Sequence, residues 1–553
     1  MSQAFLTPYR LFLTPLSPIH LGSGEDYEPT NYVISDGVLY AFDPAQAALN
    51  PQQRSELQEA TQSGKIDRIQ QYFDKHAQTF ADSAYKAVAV STALENEYKE
   101  RIGKVANRET GGKNVYNRLD IERTIANPIT HQPYIPGSAF KGCLRTALLE
   151  RMARAHPPQP KPTSRDAGRF EGNYLGSFAS DGLRLLKTAD FMPAGNVATQ
   201  IQYATNHKKK RVVKDGKTVE AKGVTGRRET IQHGQYRVFA ATCTIQHVLL
   251  QHHPHIKQPQ KSLPENRVQP ESLQQLAIDA NRYHIKRFEQ ECSQLEERNL
   301  IAPDWLRHTR NLLAQLTPQL QKGSMMLVRL GKHGGAESKT INGLAQIKIM
   351  QGKGQKPVFE PKTKTVWLAA QSAAETHGLL PFGWALIEID PPSDNNALQQ
   401  WCQHNSSHLA AIRGIHAALA ERRQQADAAA AELQAQAQAA EQERIAQEQR
   451  EAAEAARRQA ELAAMNPAER LVAEWLERLA AFDYDPRNQQ AHTGFYQSLL
   501  AALNQAAETF SAAEQKTIAE KLSFNTMKKH QSGLFSSSRE KEIKAVLRRL
   551  RGE

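Results

Sequence analysis

Pro133–Leu149 reads PYIPGSAFKGCLRTALL. Pro136-Gly137-Ser138 forms a bend, after which Phe140, Leu144, Ala147, Leu148 and Met152 recur at helical spacing. Ser138 stands where it can cap the helix, although Lys141 occupies the place of a capping-box Glu. The prolines from Pro157 to Pro162 end the element. A Gly-Ser bend that opens a helix points free backbone N–H groups forward, an arrangement that suits a phosphate. Lys141 and Arg145 are i and i+4 and share one helix face, while Phe140, Leu144 and Leu148 mark the core-directed face. An ordinary amphipathic helix with solvated cations fits the same pattern. The G-x-x-x-x-G-K-[ST] phosphate loop is absent.

Upstream, the first 45 residues read as β-structure. In LFLTPLSPIHL, Pro15 and Pro18 interrupt the apolar positions, which predicts an edge strand or a bulge. YVISDGVLYAF is two short β-rich runs around Asp36-Gly37, the signature of a tight hairpin. Residues 45–105 read as a polar helical insertion. Downstream, 229–250 predicts a strand leading into a more helical stretch, and 270–322 predicts helix. Strands are predicted at 324–330, 365–369 and 383–390. Strands first, helices inserted and strands last is the pattern of an α+β fold.

Composition changes near residue 391. Residues 421–463 are almost only Ala, Glu, Gln and Arg, with 16 Ala in 43 positions. Only Leu433, Ile445 and Leu462 are large and apolar there, too few for a coiled-coil seam. The stretch predicts a solvated single helix about 60 Å long at ~1.5 Å per residue. Asn466-Pro467 opens a small helical module whose end, Lys528 to Arg551, carries eight Lys/Arg against Glu540 and Glu542. The expected domains are thus 1–390, a helical spacer 391–465 and a basic helical module 466–553.

The chain has 553 residues, 40% hydrophobic and 7% aromatic, which excludes whole-chain disorder. No run approaches the ~18 apolar residues of a membrane span, and the proline-broken N-terminus does not read as a secretory signal. Cys143, Cys243, Cys292 and Cys402 lie far apart, as reduced thiols of a cytoplasmic protein would. The formal charge is +12, an excess that suits a polyanionic partner such as nucleic acid.

Further candidate contacts lie in three basic or glycine-rich segments. His20-Leu21-Gly22-Ser23-Gly24-Glu25-Asp26 is a turn whose glycines allow close approach of a ligand. Arg329-Leu330-Gly331-Lys332-His333-Gly334-Gly335 is a basic turn after a β-like run. His207 to Glu229 holds Lys208, Lys209, Lys210, Arg211, Lys214, Lys217, Lys222, Arg227 and Arg228, with Asp215-Gly216 at a hairpin-like centre. It reads as a projecting basic hairpin or as a solvated loop. Cys243, His247, His252, His253 and His255 match no zinc spacing, and no cofactor motif is present. Asp26, Glu28 and Asp181 are isolated carboxylates near loops.

HLGSGEDYEPTNYVI at 20–34 and PYIPGSAFKGCLRTALL at 133–149 together resemble the two signatures of the RAMP superfamily of CRISPR effector proteins. The glycine-rich turn at 331–335 and Leu380-Pro381-Phe382-Gly383-Trp384 add to the match. Within the superfamily the chain resembles the fifth-subunit family of type III-A (Csm) complexes, over roughly residues 1–390. The resemblance implies a ferredoxin-like (RRM-type) βαββαβ core that binds a CRISPR guide RNA. It also implies a place beside the repeated backbone subunit and other Csm subunits, capping the filament at the guide 3′ side, with a part in guide maturation through host nucleases. Carried over, Gly137, Ser138, Lys141 and Arg145 become RNA-backbone contacts, with Gly22, Ser23 and Gly24 lining the same groove. The 207–228 window, with Lys208, Lys209, Lys210, Arg211, Arg227 and Arg228, and the turn at Lys332 and His333 join them. Backbone-forming relatives that cut RNA place an aspartate in the loop before the second strand, where this chain has Glu28-Pro29-Thr30-Asn31. That departure predicts a non-catalytic subunit without a catalytic metal. The alternative is a metal-dependent endoribonuclease that trims guide RNA with Asp26 or Glu28.

Overall fold

The computed structural model describes residues 5–108, 114–159, 167–176, 181–211, 213–214, 217–218, 225–247, 272–351 and 354–553. The chain opens with β1 (Leu6–Pro15), β2 (Gly22–Tyr27) and the hairpin of β3 (Tyr32–Ser35) and β4 (Val38–Ala41). Asp36 and Gly37 turn that hairpin at φ 52° and 74°, the positive values this dipeptide tolerates. The helical insertion follows as α1 (Pro51–Gln62), α2 (Ile66–Lys75), α3 (Ala77–Asp82) and α4 (Thr92–Arg101), but β5 (Lys86–Val90) interrupts it. KAVAV is buried at every position. A strand covered on both faces lacks polar alternation, so its period gave no separate signal.

The hairpin of β6 (Val105–Arg108) and β7 (Asn114–Tyr116) precedes β8 (Ile121–Thr124), α5 (Gly137–Ala155) and α6 (Ala167–Leu175). Next come β9 (Leu186–Thr188), β10 (Met192–Pro193), β11 (Thr199–Lys208), β12 (Val213–Lys214), β13 (Lys217–Thr218), β14 (Gly226–Ile231) and β15 (Phe239–Gln246). Residues 229–247 therefore hold the end of β14 and the whole of β15. The more helical stretch expected in their second half is a strand up to Gln246, because its residues pair along β1 and β9; residues 248–250 lie outside the described residues. Helices α7 (Leu273–Glu297), α8 (Pro303–Gln315) and α9 (Thr317–Lys322) lead to β16 (Met325–Arg329). The hairpin of β17 (Ile347–Ile349) and β18 (Val358–Glu360), then β19 (Thr365–Ala370), β20 (Leu380–Pro381) and β21 (Trp384–Ile389), complete the sheets.

The strands form two main sheets of a mixed α+β fold. One runs β10-β15-β1-β21-β16 with β9 also on β15, and its pairings are antiparallel. The other runs β2-β8-β14-β11-β5-β4-β3, with β19 on β11 and β20 on β19. β1 is central, not the edge strand its prolines predicted. Pro8 sits where β15 is its sole neighbour, because β21 joins only from Leu11, and Pro15 is the last strand residue. Alternation then divides the core. Ala385 and Ile387 of β21 face α5 and α7 together with Leu11, Leu13, Phe140, Leu144, Leu148 and Leu276. Trp384 and Leu386 face the second sheet, α7 and α8, meeting Tyr203, Phe288 and Trp305.

Two compact units are present, Met1–Ala426 and Asp427–Glu553. The first includes α10 (Asn396–His404), whose Leu398, Trp401 and Cys402 join the core. It also includes the start of α11 (Leu409–Ala464), where Leu409 and Ile412 pack on Ala89 and Ala198. From 421 onward the described side chains of α11 are almost all exposed, as a solvated single helix requires. Ion pairs Arg444–Glu448 and Arg457–Glu461 support it at i,i+4. The second unit adds α12 (Pro467–Ala481), α13 (Gln489–Thr509), α14 (Ala512–Lys521), α15 (Phe524–His530) and α16 (Ser537–Arg551). Asn466 caps α12 by accepting the Glu469 N–H, and Val472, Trp475, Leu499, Leu503, Met527 and Leu547 form its core. Among the described residues no helix is long and apolar enough to cross a membrane.

Candidate nucleic-acid interface

Three segments remote in sequence meet around one groove of about 470 Å³. Leu21 and Gly22 enter from the start of β2; Ser138, Ala139, Gly142 and Thr146 come from α5; Leu330, Gly331 and Lys332 come from the turn after β16. Backbone hydrogen bonds hold the turns together. Lys332 N–H donates to the His20 carbonyl at 2.9 Å, and Leu330 N–H donates to the Gly383 carbonyl at 2.8 Å. Gly331 lies at φ +82°, and a Cβ there would stand 2.3 Å from the His20 carbonyl oxygen. Only glycine lets these two turns approach so closely. Gly142 and Gly24 have open space where a Cβ would be, and Ser138 is exposed. Small residues, backbone edges and lysines leave room for a sugar-phosphate chain.

The electrostatics centre on Glu122 of β8. Lys332 Nζ donates to its Oε2 at 2.7 Å, and Arg228 pairs with its Oε1 at 3.0 Å. The fully buried His20 lies 3.3 Å from Oε2 through Nε2, and its Nδ1 donates to the Glu229 carbonyl at 2.8 Å. Burial lowers the His20 pKa, and the Glu229 carbonyl, which can only accept, keeps a proton on Nδ1. For Glu122, burial opposes ionisation, but the hydrogen bond from Lys332 and the charge of Arg228 outweigh it and lower its pKa. His333, at φ 64°, packs against His20, Trp367 and Phe382. Burial, reinforced by Arg228, pushes its pKa down to about 3. Arg228 Nε donates to His333 Nε2 at 3.2 Å.

The remaining residues expected at the interface are placed differently. Helix α5 begins at Gly137, with Pro136 as its N-cap, so Ser138 lies within the first turn and caps nothing. The Gly137 N–H donates to Asp190 at 2.8 Å, and a Cβ there would lie 2.6 Å from the Ala189 carbonyl. Gly137 is thus a buried packing glycine whose amide is already occupied. Lys141 donates to the Leu186 carbonyl at 2.9 Å, and burial lowers its pKa. Arg145 pairs with Glu171 and Asp181. Lys141 turns toward β9, whereas Arg145 lines the groove as expected but is ion-paired there to Glu171 of α6 and to Asp181. Arg227 is locked to Glu97, and Lys209 to Glu337 and Thr363, each at 2.7 Å. Lys208 ends β11 half-buried, whereas Lys210 and Arg211 are exposed beyond it. The expected hairpin is present as Val213↔Thr218 and Lys214↔Lys217; Asp215, Gly216 and Lys222 lie outside the described residues. Ser23 donates to the Arg123 carbonyl at 3.3 Å and accepts from the Glu25 N–H.

Lys339 also lines the groove and is exposed. Sequence reading missed it, because AESK after the glycine turn has no motif of its own. Glu122 was missed for the same reason. Asp26 and Glu28 are exposed. Among the described residues no group of three His, Cys, Asp or Glu stands close enough to hold a metal ion.

No family model matches the sequence, and no curated protein matches it. The chain is similar to several solved structures, among them the following two. A chain of a Csm–crRNA–target RNA ternary complex of a type III-A CRISPR–Cas system is 16% identical at TM-score 0.33, covering 69% of this chain and 100% of that one. Csm5 of T. onnurineus is 14% identical at TM-score 0.38, covering 68% of this chain and 99% of that one.

Proposed function

We propose that this chain is a guide-RNA-binding RAMP subunit of a type III-A (Csm) CRISPR effector complex, capping its backbone filament at the guide 3′ side. One observation carries the reading. The two RAMP-like stretches, 20–34 and 133–149, and the glycine turn at 331–335 are far apart in sequence yet line a single groove. Its floor is small and its rim carries Lys332 and Lys339, so it fits a phosphodiester backbone read by shape and charge. Sequence specificity then belongs to guide–target pairing. A ferredoxin-like plan for the core belongs to the same proposal. Chain order supports it: β1, α5, β9, β15, α7 and β16 follow the sequence βαββαβ, with β21 inserted beside β1. The subunit acts without cutting RNA and contributes to guide maturation by assembling with other Csm subunits and recruiting host nucleases.

Lys332→Ala combined with Lys339→Ala is expected to weaken binding of single-stranded guide RNA about tenfold at physiological salt. The slope of log affinity against log salt should shrink by ~1.4, since each phosphate contact on a single strand contributes ~0.7. Lys75→Ala, whose lysine pairs with Glu56 on the helical insertion, serves as the control. Equal affinity and equal slope for the double variant and the parent chain would remove the groove from the interface.

A further inference from the structure

The cations expected at the core interface are mostly committed to carboxylates. Arg145, Lys209, Arg227, Arg228 and Lys332 each hold an ion pair. The C-terminal unit shows the opposite arrangement. Residues 427–527 carry nine Lys/Arg against 16 Asp/Glu, whereas 528–553 carry eight against three. Positive charge is therefore concentrated on α15 and α16, on a unit that is acidic elsewhere.

The helical period explains how that charge is displayed. Ile543, Leu547 and Leu550 turn one stripe of α16 into the core of the unit. Lys541, Lys544, Arg548 and Arg551 recur at i, i+3, i+7 and i+10, so they share another stripe about 80° wide. Lys528 of α15 adjoins it: the ammonium groups of Lys528 and Lys544 lie 5.8 and 5.0 Å from the centre of the same Phe524 ring. Lys528, Lys529, Lys541, Lys544 and Arg548 are all exposed. Of these, Lys544 alone pairs with a carboxylate among the described residues, Glu540 at 2.7 Å. Glu542 is turned away and accepts from the Tyr496 hydroxyl at 2.7 Å. Uncompensated like charges held on one face repel each other, and a polyanion relieves that repulsion.

The surface chemistry selects the class of polyanion. Protein interfaces centre on aromatic or aliphatic anchors. Among the described residues, no large hydrophobic side chain of α15 or α16 is exposed. Nucleic-acid interfaces are more polar and far more positive, and a linear row of cations matches a linear row of phosphates.

We propose that the α15–α16 face is a second nucleic-acid site, separate from the core groove, which takes the sugar-phosphate backbone of a nucleic-acid strand. In the full-length chain, Lys528→Glu, Lys541→Glu and Arg548→Glu together should weaken binding of a 4-thiouridine-labelled single-stranded RNA at least tenfold. They should also abolish photo-cross-links to peptides from 524–551 while leaving cross-links to the first unit. Replacing the same three residues with Gln removes charge without adding repulsion and should give a smaller loss in the same direction. Arg54→Glu, Lys65→Glu and Lys75→Glu change the net charge equally at exposed positions of α1 and α2 or just before them and should leave the 524–551 cross-links intact. A duplex DNA competitor of equal length shows whether the face prefers an RNA strand or accepts any phosphodiester backbone; displacement by either strand supports the site. Absence of parent cross-links in 524–551, or unchanged affinity of both triple variants, overturns it. So does loss of a co-purified acidic protein with RNA binding intact. Failure of the Lys332/Lys339 test alone would leave this second site standing.

Discussion

Glu229→Ala should cost the N-terminal unit about 3–5 kcal/mol, the usual consequence of stripping one partner from a buried ion pair. Glu229 is completely buried on β14, between β8 and β11. Its Oε1 accepts from Lys86 Nζ at 2.5 Å. Its Oε2 accepts from the Tyr27 hydroxyl at 3.1 Å and the Thr124 N–H at 3.2 Å. One carboxylate thus satisfies three donors from β2, β5 and β8. Without it, the Lys86 ammonium stays in the protein at 8% exposure with no counter-charge. The effect should appear as a lower midpoint of urea unfolding with an unchanged slope. The sharper check is Glu229→Leu with Lys86→Met. Removing both charges together should recover part of the loss, because no unpaired ammonium then stays buried, while the Tyr27 hydroxyl and the Thr124 N–H still lack their acceptor. A single variant as stable as the parent chain, or a double variant as unstable as the single one, contradicts this account of the network.

Acid should destabilise the same unit well above the pH at which its carboxylates titrate. His284 of α7 is fully buried, lies beside Tyr283 and Trp384, and has no hydrogen-bond partner for either ring nitrogen among the described residues. Burial, helped by Arg287 and Arg329, drives its pKa down to about 3. An unfolded histidine titrates near 6.5. Below that pH the unfolded chain binds a proton that the folded chain refuses, so stability is complete above about 6.5 and falls until the folded pKa is reached. At pH 5 the loss from His284 is about 2 kcal/mol. His233 and His333, both near 3, and His408, near 4, are held neutral chiefly by burial and add to the fall in the same direction. Urea unfolding at pH 7 and pH 5 measures the total. His284→Leu should remove about 2 kcal/mol of the difference; an unaltered pH dependence in that variant would assign the acid sensitivity elsewhere.

Local chemistry made part of this molecule legible from its sequence. Asp36-Gly37 specified the hairpin, the spacing from Phe140 to Met152 specified α5, and the Ala/Glu/Gln run specified α11. β5 was hidden because KAVAV, covered on both faces, has no alternation to separate it from its helical surroundings. β1 was misplaced at an edge because a proline also fits the part of a central strand that has a single neighbour. The cations were the hardest to read. Glu97 lies 130 residues from Arg227, and Glu337 lies 128 residues from Lys209. Nothing near those basic residues signals that the fold neutralises them. The glycines were more informative, since Gly331 and Gly22 stand where separate turns converge. The charge of Lys528–Arg551 was visible from the beginning, but its concentration on one uncompensated face emerged only from the packing of α15 and α16.

Affinity isolation of the full-length chain from its host, followed by sequencing of the bound RNA and identification of the accompanying proteins, tests the central claim most directly. The account predicts short transcripts carrying a CRISPR repeat-derived tag, recovered together with a repeated backbone subunit. An assembly free of such transcripts, or this chain recovered without that subunit, would contradict it.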